Sequence, residues 1–256
     1  NMKLDENIAA IVSGGASGLG AAVVRYLRDR KVKTALLDRD EDAGRQISFD
    51  TGSTFLKVDV SDSQSVRTAL SAARDKNGQE QLVVNCAGIA PAMKTVSRGT
   101  AHDPDLFSQV IAVNLLGSFH LASISAEGMI NAPALTKDGE RGVIIHTSSV
   151  AAYDGQIGQI AYAASKAAIS GLTLPMARDL ADKGIRVMTI APGIFGTPMM
   201  ATFSQEVQDA LAAKIPFPTR LGQPEEFAAL VVHIAENEML NGETIRLDGA
   251  IRMPPR

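Results

Sequence analysis

Tryptophan is absent and aromatic residues are only 4% of the 256 residues, which argues against the stacking platforms that read single-stranded nucleic acid. One cysteine, Cys86, excludes an intrachain disulfide framework and a cysteine-rich zinc site. Basic charge is not in excess: 25 Lys and Arg against 28 Asp and Glu leave a net −3. No nucleic-acid partner is expected from that balance. The histidines, His102, His120, His146 and His233, have no compact ligand spacing, and no metal is expected. No uninterrupted apolar run approaches the roughly 18 residues of a membrane span, so neither a transmembrane helix nor a membrane partner is expected. The opening NMKLDENIAA lacks a basic stretch followed by a long apolar one. It does not read as a signal peptide, and a cytoplasmic location is expected.

What is present is apolar material for a sizeable core, 45% hydrophobic residues against 21% charged. Short apolar strands alternate with amphipathic stretches. Strands are predicted at 8–12, 32–37, 54–60, 82–85, 142–147, 185–191 and 243–247. Helices are predicted at 21–30, 40–49, 63–76, 105–131, 161–183 (across Pro175) and 224–237. This rhythm implies an α/β fold, a doubly wound parallel sheet of about seven strands with helices on both faces. No linker or composition break divides it, so a single domain over 1–256 is expected. Segment 92–104 lacks periodicity and reads as a surface loop. Segment 194–217 lies beyond a strand end, where such sheets bind ligands. It reads as a substrate-covering segment with a short helix at 205–214.

Gly14, Gly15, Gly18 and Gly20 lie between the first strand and the first helix. Glycine there lets the chain approach a pyrophosphate, and the helix aims unpaired amides at it. The spacing is GxxxGxG rather than GxGxxG. Asp38 ends the second strand, eighteen residues beyond Gly20. A carboxylate there accepts both hydroxyls of an adenosine ribose and repels a 2′-phosphate, which favours NAD over NADP. Asp59 and the Val60 amide suit an adenine edge; a helix cap is the plainer reading of Asp59. Asn85, Ala87 and Gly88 follow the fourth strand and suit packing beside the nicotinamide ribose. Cys86 reads as a small buried filler.

Tyr162 and Lys166 are four apart at a helix start and share one face. A nearby ammonium and a cationic nicotinamide favour the phenolate, so Tyr162 can exchange the alcohol proton as hydride moves. Lys166 can also hold ribose hydroxyls. A serine after the fifth strand can hydrogen-bond the same substrate oxygen; Ser148 and Ser149 both qualify by position. Asn114, within a predicted helix, can anchor a water behind the lysine.

These pieces resemble the short-chain dehydrogenase/reductase family. The matching segments are the 14–20 turn, NCAG at 85–88, Asn114, Ser149, YAASK at 162–166 and PGIFGTP at 192–198, nearly the whole chain. The resemblance implies a Rossmann-type fold and a catalytic set of Asn114, Ser149, Tyr162 and Lys166. The family serine stands thirteen residues before the tyrosine, which selects Ser149. Ser13, where the family often has threonine, joins the nucleotide set with Ser17, Leu19, Pro192, Gly193, Phe195 and Thr197. The short Tyr–Lys spacing implies carbonyl or alcohol chemistry rather than enoyl reduction.

Segments 148–181, 185–200, 216–228 and 241–253 further resemble members that oxidise the 3-hydroxyl of acyl-CoA thioesters with NAD. Some of these accept steroid alcohols, and they are usually homotetramers. The implied partners are a small-molecule substrate, an acyl-CoA or a hydrophobic alcohol, and further copies of the chain, with the helices at 105–131 and 161–182 as candidate contacts. An NAD-dependent hydroxysteroid or other secondary-alcohol dehydrogenase is the alternative; an NADP-dependent ketoacyl reductase and a non-catalytic nucleotide-binding protein are less favoured. Gln156 and Gln159, with Ala92, Phe195 and Met199, can line an apolar substrate cleft. Lys94, Arg98, Lys214 and Arg220 are candidate cations for CoA phosphates. Residues 252–256 read as a non-helical tail that covers a neighbour or frays.

Overall fold

The structure is a computed structural model that describes residues 2–255, with Met199 described by its backbone alone. β1 (Ala9–Ser13) leads through the glycine turn into α1 (Gly18–Asp29), followed by β2 (Lys33–Asp38), α2 (Glu41–Thr51), β3 (Thr54–Lys57), α3 (Ser63–Asn77) and β4 (Leu82–Asn85). A small hairpin, β5 (Val96–Ser97) and β6 (Thr100–Ala101), precedes α4 (Pro104–Ile111) and α5 (Gly117–Met129). The chain continues through β7 (Gly142–Thr147), α6 (Ile160–Leu180), β8 (Ile185–Pro192), α7 (Pro198–Ala201), α8 (Gln205–Ala212), α9 (Pro224–Glu236) and β9 (Thr244–Leu247).

Seven strands form one sheet in the order β3-β2-β1-β4-β7-β8-β9, every pairing parallel. This is the doubly wound arrangement of Rossmann type that the sequence predicts. Alternate residues of β4 feed opposite cores. Leu82 and Val84 face the layer of α1 and α9, with Leu27, Phe227 and Val231. Val83 faces the other layer, with Leu70, Leu121 and Met129. The order reverses between β1 and β4, which opens a crevice above the strands' carboxyl ends. Register places Ser13 beside Leu37 and Asn85, and Asn85 beside His146, so the residues around that crevice share one level.

Local chemistry sets the element ends. Asp40, Asp62 and Asp103 accept backbone amides at the starts of α2, α3 and α4, satisfying donors a helix start leaves free. At the far end of α9, buried Arg186 of β8 pairs with Glu140 at 2.7 Å and donates to the carbonyls of Ile234, Ala235, Asn237 and Leu240. One guanidinium thus supplies the donors that the helix end lacks.

Two elements differ from the sequence expectation. Segment 92–104 contains the β5–β6 hairpin, which turns through Arg98 and Gly99 at positive φ (52° and 79°); strands of two residues carry no readable period. The helix expected over 105–131 is interrupted by a π-helical turn at Ala112–Leu116. The whole run, Pro104–Met129, is long and apolar enough to cross a membrane by length and composition alone. Here it packs on α3, α6 and the sheet, with Asn114, Ser118 and Ser125 buried. α6 continues through Pro175, as the sequence predicts, with the proline on the exposed side of the helix.

Candidate active site

A cavity of about 870 Å³ opens above the sheet's carboxyl edge, running from the glycine turn to Met253. At its first end the glycines meet a steric demand. Gly14 has φ 64°, and a Cβ there would lie 2.6 Å from the Ala87 nitrogen. A Cβ on Gly20 would run into the Gly14 carbonyl. The turn can therefore close against Ala87 while α1 begins directly above it. Ser17, the residue before α1, makes no side-chain cap, so the first amides of α1 stay available to an anion.

Asp38 stands at the cavity edge with each carboxylate oxygen anchored. Oδ2 accepts the Ala16 amide at 3.0 Å, and Oδ1 accepts the Asp40 amide at 3.1 Å. Asp59 also lines the cavity; its Oδ1 accepts the amide and hydroxyl of Ser61, and the cap of α3 is Asp62 instead. Ser17, Gly18, Leu19, Val60, Ala87, Gly88, Pro192, Gly193, Phe195 and Thr197 line the cavity as well. Ser13, Gly15 and Asn85 do not. They shape it from behind: Ser13 Oγ accepts the Ala87 amide, Gly15 leaves room for Leu36, and Asn85 turns its amide toward His146. A side-chain-free turn, open helix amides and an anchored carboxylate beyond them fit a dinucleotide.

At the other end, Tyr162 and Lys166 share the first turns of α6 and both line the cavity. Ser149, just past β7, lines the cavity with Tyr162, near enough to favour ionisation of its phenol, and its Oγ accepts the Ala151 amide at 3.1 Å. Ser148 is committed elsewhere, donating to the Lys166 carbonyl at 2.7 Å and meeting Ser170 Oγ at 2.9 Å. The geometry therefore separates the two serines that sequence position left level.

Lys166 is 5% exposed, donates from Nζ to the Thr147 carbonyl at 2.7 Å and lies 5.7 Å from the centre of the Tyr162 ring. Burial pulls its ammonium down to about 8, so at pH 7 it stays mostly charged. Burial also pushes the Tyr162 phenol above its ordinary value, with Ser149 opposing. The sequence reading expected the ammonium to lower the phenol. Lys166 points at Thr147 instead, and burial dominates.

Asn114 sits behind the cavity wall, close to Gly88. It is fully buried in the π-helical turn and does not line the cavity. Its Oδ1 accepts the Ile89 amide at 2.8 Å, while Nδ2 donates to the Ile89 carbonyl at 2.9 Å and to Ser165 Oγ at 3.0 Å. The side chain is spent tying the loop after β4 to α6. Gly88 is small for the same reason: a Cβ there would lie 3.3 Å from Asn114 Oδ1 and 3.6 Å from Lys166 Nζ. Burial pushes the Cys86 thiol up to about 11, which suits a filler rather than a nucleophile.

The cavity's remaining walls are mixed. Gln156 and Gln159 line it, yet Gln159 Oε1 accepts the Gln156 amide, so the pair also builds its own loop. Met200, Phe203 and Leu211 enter from segment 194–217. Ala92 is not among the lining residues, and the side chain of Met199 lies outside the described residues. Arg220 is held by both oxygens of Glu226, which removes it from the candidate phosphate cations; Lys94, Arg98 and Lys214 are exposed. Sequence reasoning missed Thr147, which acts through its backbone carbonyl, and Met253, which lies in a segment without period.

His146 is fully buried with Nδ1 3.3 Å from Asn85 Nδ2. Burial, helped by the Lys166 charge, pulls it down to about 4 from an ordinary 6.5. The unfolded chain therefore binds this proton first as pH falls, and the neutral ring's contribution, complete above pH 6.5, is lost toward pH 4. Between pH 7 and pH 5 the protein should lose about 2 kcal/mol more stability than His146→Asn does. Guanidinium unfolding at both pH values measures this; equal losses would contradict it.

Comparison with known proteins agrees with this geometry. The sequence profile described as short chain dehydrogenase matches residues 8–208. The chain is 48% identical over 254 residues to the 3-hydroxyacyl-CoA dehydrogenase type-2 of Drosophila melanogaster, covering 98% of this chain and 99% of that protein. The Homo sapiens protein of that name is also 48% identical, with 98% and 97% covered. A crystal structure of 3-hydroxyacyl-CoA dehydrogenase type-2 from Mycobacterium avium superposes with a TM-score of 0.95 at 40% identity, covering 100% of both chains. A dinucleotide cradle joined to a serine–tyrosine–lysine cluster on a seven-stranded parallel sheet thus carries its family's sequence along most of its length: the chain belongs to the short-chain dehydrogenases, oxidoreductases that use a nicotinamide cofactor.

Proposed function

We propose that this chain is an NAD-dependent 3-hydroxyacyl-CoA dehydrogenase, interconverting the 3-hydroxyl and 3-keto forms of an acyl-CoA thioester. The observation that carries the reading is the single cavity joining the Asp38 cradle to the buried Ser149–Tyr162–Lys166 cluster. Full-length relatives of that name at 48% identity support the substrate class.

When bound, the nicotinamide supplies the hydride acceptor, or the donor in the reverse direction. The chain's own groups handle the proton. Tyr162 takes it from the substrate hydroxyl during oxidation and returns it during reduction. Ser149 holds the same oxygen and keeps the phenol aimed. Lys166 supplies the positive charge beside a phenol that burial alone would keep protonated. Asn114 fixes the floor through Ile89 and Ser165. Segment 194–217, through Phe195, Met200, Phe203 and Leu211, covers the substrate. The apolar part of the far wall would also suit a hydroxysteroid; competitive inhibition by free CoA would favour the thioester, and its absence the steroid.

Steady-state reduction of acetoacetyl-CoA with NADH tests the reading. Turnover should be clear in the native chain and fall at least about a hundred-fold in Tyr162→Phe. Native turnover no greater than that variant's would overturn it.

Asp38 supports NAD over NADP, because its anchored charge would face a 2′-phosphate. Asp38→Asn keeps an acceptor and removes the charge. The NADH-to-NADPH ratio of kcat/KM should fall by about ten-fold or more; an unchanged ratio, or a native preference for NADPH, would contradict this.

A further inference from the structure

The segment after β9 docks onto the chain's own catalytic loop. Arg246 of β9 donates from Nε to Asp248 at 2.7 Å, and from Nη2 to Asp154 at 2.7 Å and to the Ile251 carbonyl at 3.0 Å. Its guanidinium lies 5.2 Å over the ring of Tyr153. Farther along, Gln156 Nε2 donates to the Pro254 carbonyl at 3.0 Å, and the Ile157 amide to the Pro255 carbonyl at 3.1 Å. Ile251 is fully buried. Residues 153–157 lie between Ser149 and Tyr162, so both latches grip the loop that joins the two. On the segment's other side, the Phe217 amide donates to the Gly249 carbonyl at 3.3 Å, where segment 194–217 ends.

Met253 is held between these attachments and lines the cavity with Val150, Ala151 and Gln156. Three of these four residues are apolar, and the Gln156 amide is taken up by the Pro254 carbonyl. Among the described residues, the cation beside Met253 in sequence, Arg252, is turned to the Ile251 carbonyl and to Asp248. An apolar side chain on a twice-anchored backbone cannot retreat freely from a growing substrate.

Resting on the function proposed above, we propose that Met253 is a specificity-determining residue whose side chain limits the length of the acyl group. Shortening it lengthens the channel available to the acyl chain, and enlarging it closes that channel. A Met253 placed along the CoA arm instead would change every thioester alike.

The experiment compares kcat/KM for 3-ketodecanoyl-CoA over acetoacetyl-CoA, with NADH, in the native chain, Met253→Ala and Met253→Phe. A ratio within one preparation is insensitive to the fraction of folded enzyme, so misfolding does not imitate the effect. The ratio should rise by about ten-fold in Met253→Ala and fall in Met253→Phe. A ratio within about two-fold of native in either variant overturns the inference, while native turnover of acetoacetyl-CoA leaves the functional reading standing. A native chain that reduces neither thioester overturns both.

Discussion

A half-buried phenol and a buried ammonium one helical turn apart at the start of α6 are the arrangement on which the site depends. Burial raises the cost of ionising Tyr162 and lowers the affinity of Lys166 for its proton. Left alone, both groups would drift toward neutrality, the lysine by losing its proton and the tyrosine by keeping it. The site works only if positive charge persists next to the phenol, and much of the surrounding structure serves that requirement. The Thr147 carbonyl stabilises the ammonium, Ser148 ties α6 to the end of β7, and Asn114 binds Ser165 from the other side. The helix start is thus fixed to the sheet and to the π-helical turn.

The sheet supplies the second half by register alone. Parallel strands bring the ends of β1, β2, β4 and β7 to one level, and the reversal of order between β1 and β4 leaves space above them. A methyl group on Gly14 or Gly20 would run into backbone and close that space, and one on Gly88 would crowd the Asn114 carboxamide. Nucleotide cradle and reacting cluster are therefore coupled: the loop after β4 shapes the turn through Ala87 and meets Asn114 through Gly88 and Ile89.

Legibility in the sequence followed the range of each signal. The strand and helix alternation was readable because hydrophobic period is local, and the seven-stranded topology followed from it. Asp38, the glycine turn and the Tyr162–Lys166 pair were readable because each lies within one turn or one strand end. Ser149 was singled out only by family resemblance; in the structure it is the serine near the phenol. Features depending on distant backbone were not readable. No side-chain pattern marks the Thr147 carbonyl as the lysine's partner, and nothing local says that Asn114 spends its amide on Ile89. The π-helical turn adds to a helix without breaking its apolar stripe, and the terminal segment has no period to show that it docks.

The most direct measurement is the ionisation of Tyr162, read as the phenolate absorbance difference between the native chain and Tyr162→Phe, without and with saturating NAD. The buried phenol alone should ionise above its ordinary value of about 10, the cationic nicotinamide should lower that ionisation, and Lys166→Met should raise it again. An ionisation moved neither by NAD nor by loss of the lysine would contradict the account.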